Sequence, residues 1–350
     1  MQKATGGQKV DGRWQVVDGG RWALDGGPPG TVLRLYTARR TFDGAHLPST
    51  IHPLPSVVLS RLDHIRIPVG PGELHAERFG FGDHPLVLLH GFGTSTFLWR
   101  RVAPALPLGR MTAWAVDLLG HGESDRPADG DFGVAAQALC VEQAMTSLRI
   151  GRATVVGVDL GAAVAVYLAA TRPARVHGIV LISPPPLGRV RGDDLAEFGR
   201  LTGTHLFEAT RGMLGAAAVL GPLLTRGVAA REAMPDRLVA RYAAPFVGPD
   251  GVRHLQSLAN AITDDDAEEL DVGRITARAL VLRGERDAWC TSADAARLAT
   301  AIPGAELRTI PLSGRLVPED APEALASVLA DWAPPVRGAG PTHDLLGSDN

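Results

Sequence analysis

Ala153-Thr-Val-Val-Gly157-Val-Asp159-Leu-Gly161-Ala-Ala-Val-Ala-Val-Tyr-Leu-Ala-Ala170 decides the fold. The run approaches the length of a membrane span, but Asp159 sits in its middle, and a lone carboxylate there argues against lipid. A strand to Val158, a tight turn at Asp159 and a helix to about Thr171 account for it better. Other apolar runs repeat the pattern on both sides: PLVLLHG (85–91), MTAWAVD (111–117), GIVLISP (178–184), ARALVLRG (277–284) and ELRTI (306–310). Near-continuous apolar strands suit a parallel sheet covered on both faces. Helical segments fall between them, around Phe132 to Leu148, at SADAARLATAI (292–302) and at APEALASVLADW (321–332). HIRIPVG and ELHAERFG, joined by Pro71-Gly72, read as a hairpin. From Leu195 to about Ile262 the pattern is helical only. The expectation is an α/β fold with a mostly parallel central sheet flanked by helices, interrupted by a helical cap.

The domain boundaries expected are an extension over residues 1–60, core over 61–186, cap over 187–272, core over 273–335 and a frayed tail over 336–350. In the extension Gly-Arg-Trp occurs at 12–14 and again at 20–22, around the turn signal Asp18-Gly19-Gly20. A three-residue loop pairs Val17 with Arg21 and Val16 with Trp22. Alternation then places Trp14, Val16, Trp22 and Leu24 on one face of a hairpin. Such a hairpin is marginal alone, so that face docks either on its own domain or on a protein partner or second copy. Trp14 and Trp22 are the candidate contacts of this interaction arm.

The 350 residues are 45% hydrophobic and 21% charged, an ordinary globular balance. A net charge of -3 supplies no basic field, so no nucleic-acid partner is expected. MQKATGGQKV lacks an apolar h-region, and Cys140 and Cys290 make no disulfide scaffold or metal motif; a cytoplasmic protein without a transmembrane segment is expected. No GxGxxG or Walker pattern sits at a strand–helix turn, and the Asp264-Asp265-Asp266 run reads as a solvated loop or helix start. No cofactor and no metal are expected.

Chemistry concentrates at three strand ends: His90-Gly91-Phe92-Gly93, Gly157-Val158-Asp159-Leu160-Gly161, and Gly284-Glu285-Arg286-Asp287. With the GHGESD loop at 120–125 and the helical insertion after ISPPP, the chain resembles the α/β-hydrolase family over roughly residues 61–333. In that family a strained turn presents the nucleophile, with small residues on both flanks because helix and strand pack closely. Asp159 at this position resembles the epoxide-hydrolase and haloalkane-dehalogenase branch. The resemblance implies that the carboxylate attacks carbon and that a histidine activates water against the ester. It further implies Asp287 as the acid that orients the base, and the amides of Phe92 and Leu160 as an oxyanion hole. Trp99 and Tyr242 are the implied substrate-binding residues, and the occupant expected under the cap is a small apolar molecule. The bland alternative for Asp159 is a helix N-cap.

The family's histidine segment reads Ser313-Gly314-Arg315-Leu316-Val317-Pro318-Glu319 here, which puts Arg315 in the histidine position. A guanidinium stays protonated and cannot act as a general base. Leu160 and Phe92 offer no side-chain donor to a halide, and Tyr242 is the lone tyrosine of the expected cap. Arg315 is expected to lie between Asp159 and Asp287 as an ion-paired triad. Three readings arise: hydrolysis impaired or repurposed, an active hydrolase with a displaced base, or a non-catalytic scaffold or assembly subunit. Cys290 reads as a buried structural thiol.

Overall fold

The computed structural model describes residues 14–17, 21–24, 32–34, 63–202, 205–268 and 270–332. The chain divides into two units, Met1–Val58 and Leu59–Asn350. In the first, β1 (Trp14–Val17) pairs antiparallel with β2 (Arg21–Leu24), with Val17 opposite Arg21 and Val16 opposite Trp22, the register the three-residue loop dictates. A further strand, β3 (Val32–Arg34), pairs with β2 and widens the hairpin to a three-stranded sheet. The sequence reading has no β3. The side chains of Trp14 and Trp22, and the tail beyond Trp332, lie outside the described residues.

The second unit is built on an eight-stranded sheet ordered β11-β10-β9-β8-β6-β7-β5-β4. Its strands are β4 (Asp63–Val69), β5 (Gly72–Gly80), β6 (His84–Leu89), β7 (Met111–Val116), β8 (Ala153–Val158), β9 (Val176–Ile182), β10 (Arg278–Gly284) and β11 (Glu306–Ile310). Pairing is parallel from β7 through β6, β8, β9 and β10 to β11, and antiparallel at β5/β7 and β4/β5. Every residue of β8 is buried, which is why its sequence is an unbroken apolar run rather than an alternating one. At the hairpin, Gly70 and Pro71 make the turn, and Gly72 already belongs to β5. The turn therefore falls one residue earlier than Pro71-Gly72. Pro71 has no amide to give a ladder, whereas Val69 and Gly72 pair across it.

Helices α1 (Val134–Ser147) and α2 (Leu160–Thr171) follow β7 and β8. After β9 the chain is helical, with α3 (Asp193–Thr202), α4 (His205–Arg226), α5 (Asp236–Ala243), α6 (Gly248–Ala261) and α7 (Asp265–Glu268). The stretch that reads as helical only and punctuated by Gly and Pro is divided among these helices, and α4 itself bends at Gly215, whose φ of 64° is outside the helical region, and carries Pro222. Strand–helix alternation resumes with α8 (Ser292–Ala301), then a single helical turn α9 (Val317–Asp320) and α10 (Pro322–Trp332). Among the described residues, no helix is long and apolar enough to cross a membrane.

One close crossing positions the turn at Asp159. A Cβ on Gly157 would collide with the carbonyl of Gly161, and a Cβ on Gly161 would come within 2.6 Å of the Leu89 carbonyl. Strand β8, helix α2 and strand β6 thus touch backbone to backbone, and only glycine fits at either position. Gly157→Ala is expected to lower unfolding stability by about 1–3 kcal/mol, the usual cost of overpacking a tight core. A urea midpoint unchanged from the parent protein would contradict this packing.

Candidate active site

Asp159 heads α2 with φ 53° and ψ -114°, a conformation that costs a non-glycine residue about 1–3 kcal/mol. Backbone bonds hold it there. Its N–H donates to Ile182 O at 3.0 Å, and its carbonyl accepts from the amides of Ala162 at 2.9 Å and Ala163 at 3.2 Å. Although Asp159 occupies the N-cap position, its side chain makes no capping hydrogen bond. The carboxylate turns instead toward the β6 loop, where Oδ2 accepts from the Phe92 amide at 3.1 Å. The bland N-cap reading therefore does not describe this residue.

The loop after β6 is braced from below. His90 Nε2 accepts from the Leu118 amide at 3.0 Å, so its Nδ1–H is the donor to Gly91 O at 2.8 Å. The ring is fully buried, and burial pushes its pKa down, which keeps it neutral. Gly91 leaves room for the nucleophile position, since a Cβ there would lie 2.9 Å from Asp159 Oδ2. Leu160 is buried as the first residue of α2, but among the described residues its amide makes no hydrogen bond to the Asp159 carboxylate. Of the two expected oxyanion-hole amides, only that of Phe92 is so engaged.

Asp287 lies in the loop between β10 and α8. Its Oδ1 accepts from the amides of Trp289 at 2.9 Å and Cys290 at 3.1 Å, while Oδ2 is buried with no hydrogen-bond partner among the described residues. Arg283, which the sequence reading did not single out, shapes this loop from inside. It is buried and donates to the carbonyls of Cys290, Glu285 and Asp287 at 2.9, 3.3 and 3.2 Å. An arginine at the end of a buried strand, just before an acid loop, was the available signal.

Arg315 is buried and pairs through Nη2 with Asp159 Oδ1, both side chains being 10% exposed. Its guanidinium lies 5.1 Å from the centre of the Trp289 ring, a cation–π distance. The expected three-membered triad is not formed. Among the described residues Arg315 makes no ion pair with Asp287, because the guanidinium rests over Trp289 and turns to Asp159. The other histidines do not restore a base among the described residues. His121 is buried with Nδ1 3.3 Å from Leu119 O and Nε2 unpartnered, and desolvation pushes its pKa well down. His254 Nε2 bonds Gly120 O at 2.8 Å. Neither is hydrogen-bonded to Asp159. The side chain of His205, and all of His343, lie outside the described residues.

A cavity of about 370 Å³ opens on this constellation, lined in part by Asp159, Ser183, Trp289, Asp294, Arg297 and Arg315. Its wall is therefore mixed rather than purely apolar. Trp99 and Tyr242 are not part of that wall. Trp99 is fully buried, and its Nε1 has no hydrogen-bond partner among the described residues. Tyr242 is buried and donates to Glu319, whose carboxylate also takes a two-point contact from Arg100 at 2.6 and 2.8 Å. Further bonds near it join residues 227–229 to the segment 314–320. Leu316 N–H donates to Gly227 O at 2.7 Å, and Asp320 Oδ2 accepts from the amides of Ala229 at 2.9 Å and Gly314 at 2.8 Å.

The acidic run finds three separate partners. Asp264 Oδ1 accepts from the amides of Val190 and Arg191 at 2.7 and 2.8 Å, Asp265 Oδ2 accepts from the Thr263 hydroxyl at 3.1 Å, and Asp266 Oδ2 accepts from Ala135 at the start of α1 at 3.0 Å. Burial and the neighbouring Asp287 push the Cys290 thiol up to about 12, and burial raises Cys140 to about 11.

Two outcomes are expected of this arrangement. Arg315→Met leaves the Asp159 carboxylate buried without its cation, and should cost about 3–5 kcal/mol in urea unfolding at neutral pH. The loss should shrink on acidification, because a buried carboxyl deprived of this cation holds a proton more readily in the folded protein and gains stability when it takes one. A pH-independent loss would contradict that assignment. Both thiols should resist iodoacetamide at pH 8 in the native protein and label fully in denaturant, as read by intact mass.

A family model for the alpha/beta hydrolase fold matches residues 84–322. A haloalkane dehalogenase of Mesorhizobium japonicum is 24% identical over 315 residues, covering 83% of this chain and 97% of that protein. The dihydrolipoyllysine-residue acetyltransferase component of an acetoin cleaving system from Pseudomonas putida is 30% identical over 250 residues, covering 70% of this chain and 62% of its own length. Of this and several other curated relatives the chain spans only 33% to 62% of the length. Among solved structures, the epoxide hydrolase CorEH without ligand superposes with a TM-score of 0.65 at 20% identity, over 77% of this chain and 98% of that one. The matched region contains both the strand–turn–helix that carries Asp159 and the loop that carries Asp287, and the chain belongs to the alpha/beta hydrolase family.

Proposed function

We propose that this chain is an Asp-nucleophile alpha/beta hydrolase whose hydrolytic turnover is impaired or redirected, because Arg315 stands where the general base belongs. The observation that carries this is the buried ion pair between Arg315 and Asp159 Oδ1. In a working site Oδ2 rests on the Phe92 amide while Oδ1 attacks an electrophilic carbon. A carbon–oxygen bond forms, and the leaving group departs with the electron pair of the bond that breaks. The resulting ester is cleared by a water that has lost its proton to a neutral imidazole. Arg315 weakens both steps: it holds the attacking oxygen in an ion pair, and it cannot accept the proton. Asp287, with Oδ2 unpartnered among the described residues, is in this reading an orienting acid with no described ring to orient. The mixed wall of the cavity favours a small substrate with a polar end over a purely apolar one. Residues 1–58, as a unit with its own three-stranded sheet, serve in this reading as a docking arm for another protein or a second copy.

The test is intact-protein mass after incubation with alkyl halides, epoxides and activated esters, for the parent protein and for Arg315→His. The expected result is an adduct on Asp159 that persists in the parent protein and is cleared with turnover in Arg315→His. Steady multiple turnover by the parent protein would overturn the reading in favour of a displaced base. No adduct in either protein, both being folded, would overturn it in favour of a non-catalytic scaffold.

A further inference from the structure

Strand alternation places His75 and Glu77 on one face of β5, and the antiparallel register sets His64 of β4 directly opposite Glu77. The donor atoms of these three side chains all lie within 4.8 Å of one another. His64 Nδ1 and His75 Nε2 are 3.2 Å apart, with the ring planes inclined by 22°. That spacing is close to the edge of about 3.3 Å between two ligands of a tetrahedral zinc with bonds of about 2.0 Å.

The next layer fits the same purpose. His75 Nδ1–H donates to Asp117 Oδ2 at 2.8 Å, and Asp117 is itself fixed by the amides of Thr96 at 2.6 Å and Glu123 at 2.9 Å. A carboxylate behind an imidazole fixes its tautomer and leaves the opposite nitrogen, here Nε2, as the lone-pair donor. Glu123 Oε2 is a further 3.9 Å from that nitrogen, on an exposed side chain that can move. Charge balance points the same way. The carboxylates of Glu77, Asp117 and Glu123 gather around two imidazoles, and among the described residues no arginine or lysine pairs with any of them. Glu77 is half-buried, and its side chain accepts one long hydrogen bond, from Thr96 Oγ1 at 3.4 Å. His75 pairs with Asp117 and faces Glu123, but three carboxylates still outnumber the two imidazoles that can carry positive charge, and a bound cation would balance the excess.

From this cluster we propose a binding site for one divalent transition metal ion of the zinc class, held by His64, His75 and Glu77, with Glu123 or water completing the shell. Without the ion, the Nδ1–H of His64 donates to His75 Nε2. Binding displaces that proton and turns the exposed His64 ring through a small angle. The site uses none of the residues that surround Asp159, so it is independent of the catalytic reading. Its effect is mechanical: it ties the edge hairpin β4–β5 to the loop between Asp117 and Ser124.

The experiment uses the full chain, stripped with chelator and titrated with Co²⁺ and Zn²⁺. The expected result is one Co²⁺ per chain with the visible absorption of a low-coordinate site, its displacement by Zn²⁺, and a rise in Tm with Zn²⁺. His64→Ala should weaken binding at least ~10-fold, the lower end of what losing even a supporting group costs a metal site. Glu77→Gln should act similarly, and His64→Ala alone decides if Glu77→Gln fails to fold, since His64 is exposed. No uptake by the parent protein, or uptake and a Tm rise that persist unchanged in His64→Ala, would overturn the proposal. The first result would leave a hydrogen-bonded histidine pair, and the second a site elsewhere in the chain.

Discussion

The Asp159 carboxylate is held between a backbone amide and a guanidinium, and the rest of the molecule is arranged to hold it there. Phe92 takes one oxygen and Arg315 the other. For that to happen, Asp159 must adopt a backbone conformation that favours glycine. The strain is absorbed by β8 and β9 through the bond to Ile182, and by α2 through the amides of Ala162 and Ala163. Two glycines let helix and strands close to backbone contact beneath it. The sheet, the crossing and the neutral His90 under the loop all act as supports for one side chain.

The sheet was legible because burial on both faces leaves a mark: Val, Ile, Leu and Ala dominate β8, β9 and β10, with few polar residues among them. The turn at Asp159 was legible because close approach excludes side chains, so Gly157 and Gly161 had to be glycine. Other features left weaker marks. Strand β3 is three residues long, too short for any alternation to show. The bend in α4 depends on Gly215 in a positive-φ conformation, which composition alone does not announce. Arg315 was visible as an arginine, but not how far it reaches. Whether a flexible cation meets one carboxylate or two depends on Trp289, whose ring carries the guanidinium away from Asp287. The Arg100–Glu319–Tyr242 cluster joins residues more than two hundred positions apart and has no local signature.

Membership of the alpha/beta hydrolase family fixes the scaffold and leaves the chemistry to the site. Here the site carries two carboxylates with unlike surroundings. Asp159 is paired with a cation, whereas Asp287 has one oxygen satisfied by two amides and the other by nothing among the described residues. In the reading proposed above, an acid position without a ring to orient and a permanent cation at the base position leave the geometry in place and the proton path interrupted. The mixed polarity of the adjoining cavity agrees with a site that handles charge.

The bonds between the segment 314–320 and residues 227–242 give this arrangement a mechanical side. Gly314, Leu316, Glu319 and Asp320 each hold a bond that crosses to Gly227, Ala229 or Tyr242 or anchors one that does, and Arg315 sits among them. Residue 315 is carried by a segment that Leu316 ties to Gly227 and that Asp320 ties to both Gly314 and Ala229. The cation over Asp159 thus stands on a backbone pinned on either side, and its position is set by bonds made well away from the carboxylate it meets.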